Sequence, residues 1–539
     1  MPCSAWASVL VTPLCCLCLL ACGGGGGAAS LAATVPALGP LPTLRLSAAS
    51  PFAAACTGTR TTSVLYQNAE VEPNLAVNPV NPANLLAVWQ QDRFSDGGAQ
   101  GLLAGVSTDG GQTWSRSSAS FSRCTGGTAA NGGDYERASD PWASFSPNGV
   151  AYSVALTFTG EILTSGSSNA MRVSRSVDGG LNWGAPISLI RDDGSAFNDK
   201  EAITADSTDS RYVYVVWDRI DNHNLGQTYF ARTVDGGVSW QAAKVIYDPG
   251  MNSQSIGNQI FTLPNGVLVN LFTQLDAQPN GSVKASLAVI RSSDHGDTWS
   301  VPVKIADQLA IGARDPETGK AIRDGSFLAA GATATDGSLL VVWQDARFSA
   351  GQRDAIALSR SGDGGLSWSA PVRINGDATA QAFTPSVHVR SDGVMGVSYF
   401  DLRSNTADPG SLLTDAWLIR SSDGINWNES HLSGPFNLAL APDANGLFIG
   451  DYQGLKSSGQ NFVAVFAQTT AEANNRNEVF AVIGANSSNP ASAKKAELAP
   501  TTAMSVEFAR EVQSNIIRTQ ERPPQFHRLV RARARAARR

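Results

Sequence analysis

Acids, arginines and aromatics recur in this chain at two kinds of position, and together they have the chemistry to hold and cleave a sugar. One kind closes an apolar run: Trp89-Gln-Gln-Asp92-Arg93, Trp217-Asp218-Arg219, Trp343-Gln-Asp345-Ala-Arg347 and Tyr399-Phe-Asp401-Leu-Arg403. The other opens one: Glu72, Asp140, Asp199-Lys200-Glu201, Arg323-Asp324 and Asp451-Tyr452. Aromatic faces stack on pyranose rings, guanidinium forks hold carboxylates, and paired carboxyl groups supply the acid and base that a glycosidic bond needs. Glu72, Asp140, Glu201, Asp324 and Asp451 are candidates for that pair, and Arg93, Arg219, Arg323, Arg347 and Arg403 for substrate contacts. An Asp/Arg pair repeated in four places also fits a clamp between repeats. Residues that differ between repeats are therefore the better functional candidates.

The elements that position these residues follow from a motif repeated six times, Ser/Thr-x-Asp-x-Gly-x-(Thr/Ser/Asn)-Trp. Copies run from Ser107 to Trp114, Ser176 to Trp183, Thr233 to Trp240, Ser292 to Trp299 and Ser361 to Trp368, with a shorter one from Ser421 to Trp427. Their aspartates, Asp109, Asp178, Asp235, Asp294, Asp363 and Asp423, recur every 57 to 69 residues. Each copy joins two alternating apolar runs, so it reads as a hairpin turn: glycines supply positive φ, the carboxylate accepts turn amides, and the Trp covers the base. These aspartates are structural in this reading. Seven apolar runs, from Leu85, Val150, Tyr212, Val267, Leu339, Val394 and Phe462, read as second strands of successive repeats. In antiparallel repeats the motif turns lie at one end of the strands and the charged segments at the other. The 52 Gly and 26 Pro suit a turn-rich β protein and exclude a helical enzyme. Metal-ligand spacing and phosphate-cradling loops are absent from the sequence pattern, so no cofactor, metal or nucleic acid is expected; calcium on Asp199, Glu201 and Asp324 has no support from spacing.

The six motifs resemble the Asp boxes, or BNR repeats, of sialidase-like β-propellers, from about Thr61 to Ala485. The resemblance implies an all-β chain, a β-propeller of four-stranded antiparallel blades. The strand count favours seven, with six, the sialidase number, as the alternative, followed by a short C-terminal helix and tail. The last blade would take its outer strand from Thr61 to Tyr66. Sialidases use an arginine triad, a tyrosine nucleophile activated by a glutamate, and an aspartate acid/base. Gly450-Asp451-Tyr452-Gln-Gly-Leu455 resembles the strand carrying the nucleophile, which makes Tyr452 its counterpart, with Asp140 as acid/base and Arg323 as a triad member. Elsewhere the pattern departs. Glu72-Pro73-Asn74 stands where the first arginine belongs, and Gln259 and Phe272 stand where the glutamate and second arginine belong. Three functions stay open: an exo-acting glycoside hydrolase on extracellular glycans, a non-catalytic module binding glycan or a cell-surface protein, and a polysaccharide lyase with His223 as base.

The ends of the chain suggest export. An apolar run leads to Leu19-Leu20-Ala21-Cys22-Gly23, similar to a lipoprotein signal, so residues 1–21 are expected to be removed, Cys22 acylated and the protein held at a cell envelope, outer-membrane-anchored or extracellular. Residues 22–55 read as a flexible tether, 56–490 as the repeat domain and 491–539 as helix and tail. An oxidising compartment makes Cys56 and Cys124 a disulfide candidate. Ala499 to Thr519 is expected to be helical, capped by Thr501 or Thr502, with Val506, Val512, Ile516 and Ile517 on one side. From Arg518 to Arg539 eight Arg face one Glu, within a chain of net charge −6. Nothing in the pattern calls for an oligomer, and a monomer is expected.

Overall fold

The structure is a computed structural model, and it describes residues 40–53, 56–58, 63–221, 226–472, 475–484, 494–500 and 504–519. Cys22, His223, Thr501, Thr502 and the arginine-rich segment after Thr519 lie outside the described residues. The fold is all-β apart from short 3-10 turns and one C-terminal helix.

Seven antiparallel units follow one another along the described chain. Their first and second strands are Leu65–Val77 with Leu85–Phe94, Arg137–Phe145 with Ala151–Thr159, Ala196–Ala205 with Val213–Asp221 and Ser253–Thr262 with Leu268–Ala277. Ala330–Thr333 with Leu339–Asp345, Ala382–Val389 with Met395–Asp401 and Gly454–Ser458 with Asn461–Glu472 complete the series. In the first six units the third strand ends on the opening Ser or Thr of a motif turn, as Gly226–Thr233 does. Apolar clusters join each unit to the next. Phe145 and Ala151 pack on Leu86 and Val106 of unit 1, for example, and Val463, Val465 and Val479 of unit 7 pack on Leu75, Leu85 and Trp89 of unit 1. The apolar side chains of each sheet thus find their cover on the neighbouring sheet, which explains why both faces of the second strands are apolar. Trp89, Trp217 and Trp343 are fully buried at equivalent places, each with its indole N–H bonded, to Gln91, Asn198 and Asp345 respectively.

The outermost strand of unit 7 corrects the sequence expectation. Leu44–Arg45, ahead of the expected strand at Thr61 to Tyr66, pairs with Asn475–Ile483, and Leu46 and Ser47 are buried behind it. Part of the expected tether therefore packs against the sheet. Ser50 Oγ donates to Asp92 at 2.5 Å, which adds a second anchor to this segment. Cys56 and Cys124 form a disulfide with their Cα atoms 5.1 Å apart.

The C-terminal helix is Val506–Thr519. Phe508, Val512 and Ile516, four residues apart, bury one face among Leu275, Ile311, Phe327 and Ala346, while Val506 and Ile517 are exposed, contrary to expectation. Its first turn is capped by Ser505, whose Oγ accepts the Phe508 N–H at 3.1 Å.

The first strands share a distortion that sets up the site. Pairing slips between Val71 and Asn74, Ser139 and Trp142, Asp199 and Ala202, Ile256 and Gln259, and Phe383 and Ser386. The residue just inside each slip has positive φ: Glu72, Asp140, Lys200, Gly257 and Thr384. Such a bulge re-aims one side chain out of the strand's alternation, and holding a non-glycine residue there costs about 1–3 kcal/mol. Four units carry that strain.

Candidate functional site

The re-aimed side chains of units 1, 2 and 3 meet Asp451 of unit 7. Lys200 Nζ lies 2.8 Å from Asp140 Oδ1, 2.8 Å from Asp451 Oδ2 and 3.6 Å from Glu72 Oε1. Arg323 adds a fork onto Asp451, with Nη2 at 3.0 Å and Nε at 3.4 Å. Arg93 reaches the same region, donating to Gln90 Oε1 at 2.7 Å, while Gln90 Nε2 donates to Glu72. Both guanidinium groups lie over the Phe448 ring, at 4.8 Å for Arg93 and 4.4 Å for Arg323. The side chains of Lys200, Asp140 and Asp451 are only 8%, 5% and 6% exposed. A lysine this deep in a fold requires carboxylate partners, and its carboxylates require it.

Two cavities meet at this hub. A channel is lined by Asp140, Trp142, Lys200, Glu201, Asp451 and Tyr452, with Lys456 also on its wall. A narrow cleft is lined by Arg93, Asp140, Asp199, Phe158, Phe197 and Arg323. Asp140, Arg93 and Arg323 thus stand where bound solute would meet the ion cluster.

The carboxyl groups of the hub are driven in opposite directions. Burial works against ionisation of Asp451, but Arg323 and Lys200 outweigh it and hold that carboxyl well below its ordinary range. Burial, reinforced by Asp140, pushes Glu201 well above its ordinary value. Glu72 is raised in the same way, by burial and then by Asp140, and Asp199 by burial. Lys200 stays charged because Asp140, Asp451 and Glu72 together outweigh its own burial. Glu201 accepts the Leu156 amide through one oxygen, and its Oε2 is buried with no hydrogen-bond partner among the described residues. Glu201, whose ionisation burial disfavours, and Asp451, whose ionisation Arg323 and Lys200 favour, thus belong to the lining of one channel.

The remaining sequence candidates sort by partner. Tyr452 lines the channel against Trp142, ring centroids 5.2 Å apart, and its hydroxyl donates to the Pro141 carbonyl at 3.2 Å. Burial, reinforced by the neighbouring Glu72 and Asp140, pushes its phenol well above the usual value. Arg219 forks onto Asp192 of the preceding unit, with Nη2 at 2.6 Å, and Arg347 holds Asp345 while reaching the Asp307 carbonyl of the preceding unit. Arg403 grips Asp401 and Glu429 over the Trp417 ring. Arg219 and Arg347 are clamps between units, and Arg403 ties together strands of its own unit. Asp324 is also structural, fully buried and accepting the Ala313 amide at 2.6 Å and Gln344 Nε2 at 2.9 Å, and it lines neither cavity. Gln259 donates to the Ala329 carbonyl of the next unit at 2.8 Å. The six box aspartates repeat one arrangement, as at Asp109, which accepts the Thr113 amide at 2.9 Å and its hydroxyl at 2.6 Å. Among the described residues no cluster of His, Cys, Asp and Glu is arranged to hold a metal ion. Sequence reasoning passed over Lys200. Its signal was a lone cation between two acids at the start of an inner run.

A BNR repeat-like domain model matches residues 226–464. That match covers a little under half of the chain. Solved structures similar to it include the Hadza microbial sialidase Hz136, at 18% identity and TM-score 0.41 over 61% of this chain and 63% of that one. Trypanosoma rangeli sialidase aligns at 13% identity and TM-score 0.43, over 84% of this chain and 59% of that one. Penicillium chrysogenum alpha-L-arabinanase aligns at 14% identity and TM-score 0.41, over 65% and 94% respectively. This chain spans about three fifths of the length of each of those sialidases. A search of curated proteins finds no match.

Proposed function

We propose that this chain is a seven-bladed β-propeller, exported and held at the cell envelope through acylated Cys22, that acts on extracellular glycans as an exo-acting glycoside hydrolase. The ring reading is supported by apolar clusters that join every unit to the next and the seventh to the first. The activity rests on one observation: two carboxyl groups driven in opposite directions, Glu201 upward and Asp451 downward, line one channel together with Lys200 and Asp140. In such a site Glu201 donates its proton to the glycosidic oxygen as the C–O bond breaks. Asp140 or Asp451 stabilises or attacks the anomeric carbon, and water completes the hydrolysis. Arg93 and Arg323 would fork onto an acidic or hydroxyl-bearing group of the sugar.

A panel of sialosides, uronate-rich polysaccharides and neutral glycans tests this, with Glu201→Gln and Asp140→Asn alongside the wild type. Release of a monosaccharide that Glu201→Gln slows by about 10²–10⁴, at unchanged melting temperature, is the expected result. An unsaturated uronate product would replace hydrolysis with elimination. A second reading, a binding propeller without turnover, is favoured by the saturation of Asp140 and Asp451 on Lys200, and it predicts glycan retention with no product.

A further inference from the structure

At the opposite end of the strands from the hub, a groove of about 420 Å³ lies between the second and third motif turns. Register fixes the ends: in unit 3, Thr233, which opens the third motif, pairs with Val213, whereas Asp199 beside the hub pairs with Asp218. Trp183 and Trp240 come from the two neighbouring turns, Tyr152 and Val173 from unit 2, and Val177 and Arg175 complete the polar and apolar lining. Val177 is 70% exposed and Ile187, also on the wall, is 37% exposed.

The polar groups of the groove are nearly all spent inside the protein. Tyr152 donates its hydroxyl to the Gly236 carbonyl at 2.8 Å, Ser174 to Gly184 at 2.7 Å, and Asn182 Nδ2 to Asp178 at 2.7 Å. The Trp183 N–H goes to Ser117 Oγ of unit 1 at 3.0 Å, whereas Trp114 and Trp299 bond a carbonyl of their own turn. What remains for a ligand is the groove side of two indole rings, an apolar rim and the guanidinium of Arg175, which also bonds the Tyr152 side chain. Asp178 lines the groove and Asp235 sits in the neighbouring turn, so the local charge disfavours an anion.

We infer that this groove is a second carbohydrate site, which takes an uncharged pyranose chain by stacking on Trp183 and Trp240 and by a hydrogen bond from Arg175. Aromatic faces match the C–H faces of a sugar, and a single donor fixes the register of one hydroxyl. Such a site would keep the protein on a neutral polysaccharide while the hub works at the other end of the strands, and it stands whether or not the hub is hydrolytic.

Isothermal titration calorimetry of the whole protein with cellohexaose, xylohexaose and maltohexaose, and with polygalacturonate as the acidic control, reads this directly. At least one neutral hexasaccharide should bind. Val177→Arg, which fills the exposed rim without touching the core, and Trp240→Ala should each weaken it by about tenfold or more, while Glu201→Gln leaves it unchanged. If Trp240→Ala fails to fold, Val177→Arg alone decides. Absence of binding by all three neutral sugars, binding indifferent to Val177→Arg, or preference for polygalacturonate would each overturn the inference.

Discussion

The two ends of the strands use the same residue, aspartate, to opposite purposes. At the motif end, six aspartates sit at the surface, each saturated by the amides and hydroxyls of its own turn, and Asp109 and Asp235 are drawn down to about 2 by those hydrogen bonds. At the hub end, acids from several units are buried against one lysine and two arginines, and their neighbours push them apart in titration. A carboxylate repeated in every unit is answered locally and stabilises a turn. Carboxylates that occur once each are answered only by other units, and their charge states depend on the whole assembly. Singularity marks the place where chemistry is possible, and repetition marks scaffold.

The sharpest way to break that contrast is to remove the hub's cation. Lys200→Met leaves Asp140, Asp451 and Glu72 buried without their shared counter-ion, and breaking a buried pair by deleting one partner costs about 3–5 kcal/mol. Urea unfolding should show a loss in that range, with Lys200→Arg recovering part of it. A loss below about 1 kcal/mol would mean that the hub is solvated and no different from the motif end.

Much of this division was legible in the sequence. The motif spacing and the seven apolar runs predicted the second strands, whose observed starts lie within one residue of Leu85, Val150, Tyr212, Val267, Leu339, Val394 and Phe462. Local chemistry decides such features, so local patterns reveal them. The hub was visible only as a set of charged strand openings. Which of these converge depends on bulges that turn Glu72, Asp140 and Lys200 into positive φ, and no periodicity encodes a slip of register. Arg219, Arg347 and Arg403 share the Asp-proximal pattern of Arg93, yet Arg219 and Arg347 reach the preceding unit and Arg403 holds its own unit together. The N-terminal strand at Leu44–Arg45 escaped because two residues in an Ala/Pro-rich segment carry no strand signal of their own.

Titration separates the two ends more gently. Burial pushes Glu70 and Asp354 up to about 8 and raises Glu72 and Glu201 as well. An unfolded carboxyl loses its proton near about 4, so between about 4 and 8 the folded protein binds more protons than the unfolded chain. Stability must then fall as pH rises through that window. The motif aspartates have the reverse sign: their stabilisation is present above about pH 4 and is lost as pH falls through their depressed folded values. Melting temperature should therefore peak on the acid side of neutrality and decline toward pH 8, and Glu70→Gln should flatten part of the decline. A melting temperature that climbs steadily from pH 5 to pH 8 would show that these acids are ionised in the folded state.

The smallest effect is expected where the sequence signal is strongest. Asp363 accepts the Leu366 amide at 3.0 Å, the Ser367 amide at 2.9 Å and the Ser361 hydroxyl at 2.8 Å, four hydrogen bonds in all with the Ser367 hydroxyl at 2.5 Å. Its turn is open to solvent, and water replaces most of what Asp363→Ala removes. The loss should be about 1 kcal/mol, with glycan turnover or binding unchanged. A motif repeated six times can tolerate that weakening at one copy, because each turn closes only its own hairpin. If Asp363→Ala instead abolished function at full stability, the motif end would carry the site, and the assignment of repeated acids to scaffold would fail.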